Sequence, residues 1–195
     1  MLILASQSAS RSAMLKAAGV DFTAVPARID EAAITAALKG HPVREVADRL
    51  AELKAVKVSL SHPEAHVLGS DSMLEVERGV WLEKPGTPDG LRAQLRQLRG
   101  RAHRLLSAAV IARAGQPLWR HVEVATLHVR AFSDDWLEAY VAGAGPGVLA
   151  SVGGYHLEAQ GVQLFERIEG DQFTVRGLPL LAVLAWLRQA GEMPA

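Results

Sequence analysis

The sequence predicts an α/β fold, a mixed and twisted sheet flanked by helices and carrying one long β-hairpin. Three observations predict it. Short apolar runs alternate with stretches of helical period in the first third of the chain, as β-α-β units do. Two long alternating stretches, His103 to Arg113 and Leu118 to Phe132, flank the turn Ala114-Gly-Gln-Pro117 and read as a hairpin. Hydrophobic residues make up 49% of the 195 and charged residues 22%, enough to bury the core of a single domain spanning 1–195.

Leu2-Ile-Leu-Ala5 is a buried strand that stops at a serine cluster. From Ser8 to Ala18 the period turns helical, with Met14, Leu15 and Ala18 on one face and Gly19 as the stop. Phe22 to Val25 is a second strand, ended by Pro26. Asp30 caps a short helix through Leu38, and Gly40 ends it. A longer helix, Val43 to Leu60, spaces Val46, Leu50 and Leu53 for burial.

The next strand is His66 to Ser70, and Asp71 sits where it emerges. Met73 to Val76 continues it, and Val80-Trp-Leu82 pairs back across Arg78-Gly79. Thr87 to Leu98 is helical, as is the stretch that Ser133 caps, to Val141. Between Ala142 and Gly154, five glycines and a proline predict a mobile loop over a site. Leu164 to Ile168 is a last short strand, and Gly177-Leu-Pro-Leu opens a helix ending near Ala190.

Lys+Arg and Asp+Glu both count 21, so no overall field attracts nucleic acid or an anionic membrane. An anionic substrate needs a local cluster of cations. There is no cysteine, hence no thiolate metal site. No apolar run approaches the ~18 to 20 residues that span a bilayer. With an N-terminus unlike a secretory signal, a cytoplasmic protein is the expectation. The seven histidines form no metal-ligand spacing, and no Gly-x-Ser-x-Gly elbow is present.

Four spots place reactive side chains where strands give way to loops, which is where open α/β sheets bind ligands. Ser6-Gln-Ser8-Ala-Ser10-Arg11-Ser12 offers helix-start N–H groups, hydroxyls and a guanidinium to a phosphate, or is a plain serine-rich cap. Asp30-Glu31 is explained fully by an N-cap aspartate and an acidic first turn that complements the helix dipole, with a functional role the lesser reading. Asp71 follows a buried strand and a glycine, suiting it to a hard cation or to a turn. Lys54 lies on the small-residue face of its helix with Ala47 and Ala51, while Lys84 precedes Pro85.

Together these spots resemble the Maf family of nucleoside triphosphate pyrophosphatases, within the inosine-triphosphate-pyrophosphatase-like fold. The resemblance runs through Leu4-Ala-Ser-Gln-Ser-Ala-Ser-Arg11, Ile29-Asp-Glu31, Leu50-Ala-Glu-Leu-Lys54-Ala55 and Leu68-Gly-Ser-Asp71. It continues through Glu83-Lys-Pro85, Gly153-Gly-Tyr-His-Leu-Glu158, Phe165 to Asp171 and Gly177-Leu-Pro-Leu180. It implies two lobes around a central cleft, and hydrolysis of a nucleoside triphosphate to monophosphate and pyrophosphate that clears the nucleotide pool. Asp71 then corresponds to the proton acceptor, and Glu31 with Asp71 to the site of a divalent cation, magnesium or alternatively manganese. Ser8, Arg11, Lys54 and Lys84 match positions that hold the triphosphate. Ser10, Ser72 and Glu158 match positions associated with the choice of base. Family members are often homodimers, which the residues themselves do not decide.

The chain departs from its relatives at the first motif. Where they read Ser-Pro-Arg-Arg or Ser-Pro-Trp-Arg-Arg, this chain has Ser8-Ala-Ser10-Arg11-Ser12, without the helix-starting proline and one basic residue. Arginine at position 10 accompanies dTTP/UTP and tryptophan accompanies 7-methyl-GTP; Ser10 is neither. Glu158 and Gly-Ser-Asp71 resemble the 7-methyl-GTP group, so a purine of that type is the expected base. Two other classes compete: a non-catalytic nucleotide-binding regulator of septum formation and cell division, and a nucleotidyltransferase requiring an acceptor.

Overall fold

The computed structural model describes residues 1–194. The chain opens with β1 (Leu2–Leu4), α1 (Ala9–Ala17), β2 (Phe22–Ala24), α2 (Glu31–Ala37) and α3 (Val43–Ser61). Then come β3 (His66–Glu77), β4 (Val80–Leu82), α4 (Pro88–Leu98), β5 (Ala102–Arg113) and β6 (Gln116–Val129). The last third holds α5 (Asp134–Gly143), α6 (Pro146–Leu149), β7 (Phe165–Glu169), α7 (Gln172–Val175) and α8 (Leu180–Gln189).

Seven strands form one mixed sheet in the order β2-β1-β3-β5-β6-β7, with β4 added to β3. β1 is parallel to β2 and β3, and the remaining pairs are antiparallel. The β5–β6 hairpin turns on two residues, Ala114 and Gly115, both at positive φ (48° and 80°). The turn is therefore tighter than the sequence suggests, and Pro117 already belongs to β6, beside a register shift.

Helices α1, α2, α4 and α5 start where a side chain meets their free N–H groups, whereas α3, α6 and α8 have no such cap. Ser8, Asp30, Thr87 and Ser133 accept from the backbone N–H three residues on, each such cap contributing about 1 kcal/mol. Helix α3 covers one face of the sheet, burying Val46, Ala47, Leu50, Ala51 and Ala55 against Leu106, Ala108, Val110 and Ala112. Its small-residue stripe lets it lie close to β3, and Gly69 completes the fit. A Cβ there would stand 2.1 Å from the Ala51 carbonyl oxygen.

The opposite face carries two separate apolar clusters. One joins α1 and α8 to β1 through Met14, Leu15, Val183 and Leu187. The other joins α4 and α5 to the far half of the sheet through Leu91, Leu95, Leu137 and Tyr140. No helix among the described residues is long and apolar enough to cross a membrane.

Two expectations are corrected. The strand does not break at Asp71 before resuming at Met73 but runs through as β3 for 12 residues, so Asp71 lies within it, paired with Ala108. The Gly-Ser-Asp-Ser run reads as a turn, but β5 pairs with every residue from Val67 to Glu75 and overrides that local preference. The segment from Ala142 to Gly154 is not an open loop either. It folds into the end of α5, α6 and a 3-10 turn at Val152–Gly154, with Gly153 and Gly154 buried.

Candidate active site

The edge of β3 that faces β1 is only partly covered. β1 pairs as far as Leu68, with Ala5 N–H donating to the Leu68 carbonyl at 2.8 Å, and β4 joins only at Leu74. Between them the edge carrying Ser70, Asp71 and Ser72 meets no strand. Alternation along β3 sends Asp71 to the α3 face and Ser70 and Ser72 to the other, so groups from both faces converge on one gap.

On the α3 face, Lys54 is buried with its ammonium between two carboxylates. Nζ donates to Asp71 Oδ1 at 2.6 Å and lies 2.7 Å from Glu31 Oε1. The two acids respond in opposite directions. Burial pushes Asp71 above the ordinary value of 3.8, a rise that Lys54 and Arg11 oppose without cancelling and Glu31 reinforces. Partial burial also pushes Glu31 up, but Lys54, Lys84 and Arg11 together outweigh it and hold Glu31 below 4.5. One carboxylate is thus kept ionised while its neighbour is made a stronger proton acceptor.

On the other face Arg11 is bound at three atoms. Nε donates to the Gly177 carbonyl at 2.8 Å, Nη2 to Ser72 Oγ at 3.0 Å and Nη1 to Ser6 Oγ at 3.3 Å. Gly177 is the hub of this side. Its carbonyl also accepts from Ser70 Oγ at 3.1 Å and Ser72 Oγ at 3.3 Å. Its φ of +99° belongs to glycine, and a Cβ would meet Ser72 Oγ at 3.0 Å. Ser107 supports the arrangement, bonding Ser72 Oγ at 3.0 Å and donating to the Thr174 carbonyl at 2.8 Å.

The expected residues therefore fall into two groups. Glu31, Lys54, Asp71, Arg11 and Ser72 are brought together, and Lys84, on the exposed turn after β4, lies near enough to act on Glu31. Ser8 directs its hydroxyl to the α1 N-terminus, accepting from Arg11 N–H at 3.3 Å. Ser10 donates to the Arg176 carbonyl at 3.1 Å, and Glu158 lies 3.5 Å from Arg176 Nε. Sequence reading missed Gly177 as a cradle and Ser70 and Ser107 as its braces, while Ser6, expected among the hydroxyls offered to a phosphate, accepts from Arg11 instead. Only the glycine before Leu-Pro-Leu signalled the cradle, and that reads equally well as a helix opener.

The residues that could hold a divalent cation are Glu31 and Asp71. Glu31 and Asp71 each give one oxygen to Lys54, and both are hard ligands. Among the described residues no three His, Cys, Asp or Glu gather in one place. Further ligands would have to be water or phosphate oxygens, the arrangement magnesium commonly takes.

A family model described as Maf-like protein matches residues 1–190. The chain is 50% identical over 192 residues to a nucleoside triphosphate pyrophosphatase of Caulobacter vibrioides, covering 97% of this chain and 96% of that protein. It is 47% identical over 195 residues to one of Sphingopyxis alaskensis, covering 99% and 98%. It is also 48% identical over 194 residues to a 7-methyl-GTP pyrophosphatase of Mesorhizobium japonicum, covering 98% and 97%.

Proposed function

Because the chain belongs to the Maf-like protein family, we infer that it is a nucleoside triphosphate pyrophosphatase, and we propose that Asp71 is its general base. The observation that carries the second step is the single ammonium of Lys54, held by both Asp71 and Glu31 in the gap along β3.

The triphosphate lies across this gap. Lys54 has three N–H donors, two of them engaged by the carboxylates, and the third reaches a phosphate oxygen. Arg11 has five donors, three engaged by Gly177, Ser72 and Ser6, and turns the others to the phosphates. Lys84, from the turn after β4, closes the cationic side. Ser8, already capping α1, presents the helix start to the same anion. These groups offset the roughly four negative charges of the substrate without any net charge on the protein.

Asp71 accepts the proton of a water that attacks the α-phosphorus. The bond from that phosphorus to the bridging oxygen breaks, pyrophosphate leaves with the bond pair, and a nucleoside monophosphate remains. Burial favours the protonated product form of Asp71, which draws the proton across. Glu31 and Asp71 would hold a divalent cation, magnesium or manganese, which when bound supplies charge neutralisation at the attacked phosphoryl group. Glu158, joined to Ser10 through Arg176, supports a purine of the 7-methyl-GTP type over dTTP or UTP.

The reading is tested by product analysis over a panel of canonical and methylated triphosphates with magnesium. Monophosphate and pyrophosphate in equal amounts are expected, with guanine substrates ahead of pyrimidines. Release of inorganic phosphate and a diphosphate would mean that the wrong phosphorus has been assigned.

A further inference from the structure

Arg176 has no part in the chemistry above, yet it touches both Ser10 and Glu158. It is the C-terminal residue of the α7 turn, its N–H donating to the Gln172 carbonyl at 3.1 Å, and it directly precedes Gly177. Asp171 anchors that turn by accepting from Phe173 N–H, Thr174 N–H and Thr174 Oγ1 at 2.7, 2.9 and 2.6 Å. Because Gly177 is fixed by Arg11, Ser70 and Ser72, the Cα of Arg176 is fixed relative to the phosphate cations.

Its side chain is incompletely satisfied. Nε is sealed from solvent and has no hydrogen-bond partner among the described residues. Glu158 Oε1 is 3.5 Å away, a charge contact without hydrogen-bond alignment. The two side chains remain 21% and 40% exposed, so the pair opens outward rather than closing on itself. A guanidinium beside a carboxylate, neither saturated, presents donors next to acceptors. The Watson–Crick edge of guanine is the complement, with O6 accepting and N1–H and N2–H donating. Adenine reverses the O6 function, and uracil lacks the paired donors.

We propose that Arg176 is a specificity-determining residue for a guanine base, its guanidinium donating to O6 while Glu158 accepts from N1–H and N2–H. The assignment rests on the reading that the triphosphate lies over Asp71, which leaves the nucleoside to extend toward Ser10. It also explains how a chain with serine at position 10 selects a base. The recognition is supplied from the α7 turn, and Ser10 only braces the Arg176 carbonyl.

The test is calorimetric binding of GMP and UMP to the full chain and to Arg176→Ala, Arg176→Lys and Glu158→Gln, alongside kcat and KM for GTP and UTP. GMP affinity is expected to fall about tenfold in Arg176→Ala and Glu158→Gln, the size of one charge-assisted hydrogen bond. UMP affinity should stay within about twofold, with partial recovery for GMP in Arg176→Lys. In turnover the loss should appear in KM for GTP and not in kcat. Equal weakening of GMP and UMP would make Arg176 a phosphate or structural residue and overturn the proposal. So would a wild-type chain that binds GMP no better than UMP. If no triphosphate is hydrolysed but the GMP-selective loss is seen, the base subsite stands and the pyrophosphatase reading fails.

Discussion

Arg11 shows how one side chain serves structure and binding together. Its Nε and two terminal nitrogens tie α1 to the Gly177 turn, 166 residues away in sequence, and to the middle of β3. Burial lowers its proton affinity, Asp71 and Glu31 raise it again, and a guanidinium stays charged throughout. Arg11→Ala should raise KM for the preferred triphosphate by an order of magnitude or more, for a loss of roughly 1.5 to 3 kcal/mol. Arg11→Lys should recover little, because a single ammonium cannot reach three acceptors on diverging lines. Steady-state kinetics with both variants checks this, and unchanged KM in Arg11→Ala would remove the residue from the phosphate site. The hydroxyl-rich segment around Arg11 marks it in the sequence as an anion site. What its guanidinium holds is not legible there, since nothing local connects it to Gly177.

At the scale of elements, the site exists because α3 packs directly on β3 at Gly69. Ala47, Ala51, Ala55 and Gly69 remove the side chains that would hold the two apart. Lys54 then reaches Asp71 from the helix without leaving its buried face. Gly69→Ala would place a methyl 2.1 Å from the Ala51 carbonyl oxygen and 2.6 Å from Ala55 N, so the helix must move. Urea unfolding should show a loss on the order of 3 kcal/mol, together with a fall in turnover as Lys54 shifts from Asp71. A variant as stable and active as the parent would show that the close packing is dispensable. The small-residue face of α3 is visible in the sequence, and with it the inward direction of Lys54. The continuity of β3 is not. Gly69 to Ser72 carry turn-type residues, and only pairing with β5 makes them a strand. The glycines at 153 and 154 mislead for a similar reason. They permit close packing against Leu74 and Leu91 in a buried turn, where composition alone suggests an open loop.

For the molecule as a whole, one sheet carries two apolar clusters on the same face, and the functional gap lies along β3 where coverage passes from β1 to β4. The α4–α5 cluster packs against a buried titratable group, His103. His103 is 2% exposed, its Nε2 lies 2.6 Å from the Tyr155 hydroxyl, and its Nδ1 has no partner among the described residues. Burial, with a smaller effect from His128, lowers its value from 6.5 to about 4. The unfolded chain therefore binds this proton more readily than the folded one. The contribution is fully present above pH 6.5 and is lost as pH falls toward about 4. The loss from this residue is on the order of 3 kcal/mol. Chemical denaturation between pH 7 and pH 4 should show the decline in the parent and a shallower one in His103→Phe. Parallel pH dependence in the two would assign the acid sensitivity elsewhere.

The proposed hydrolysis depends most on Asp71 being the group that takes the proton, and the pH profile of kcat/KM tests that most directly. Because its carboxyl is raised above 3.8, kcat/KM should climb as Asp71 loses its proton, with a midpoint above that value. Asp71→Asn should lose about a hundredfold or more in kcat and lose that limb of the profile while still binding the triphosphate. An Asp71→Asn protein that turns over at the parental rate, with the acid limb intact, would contradict it.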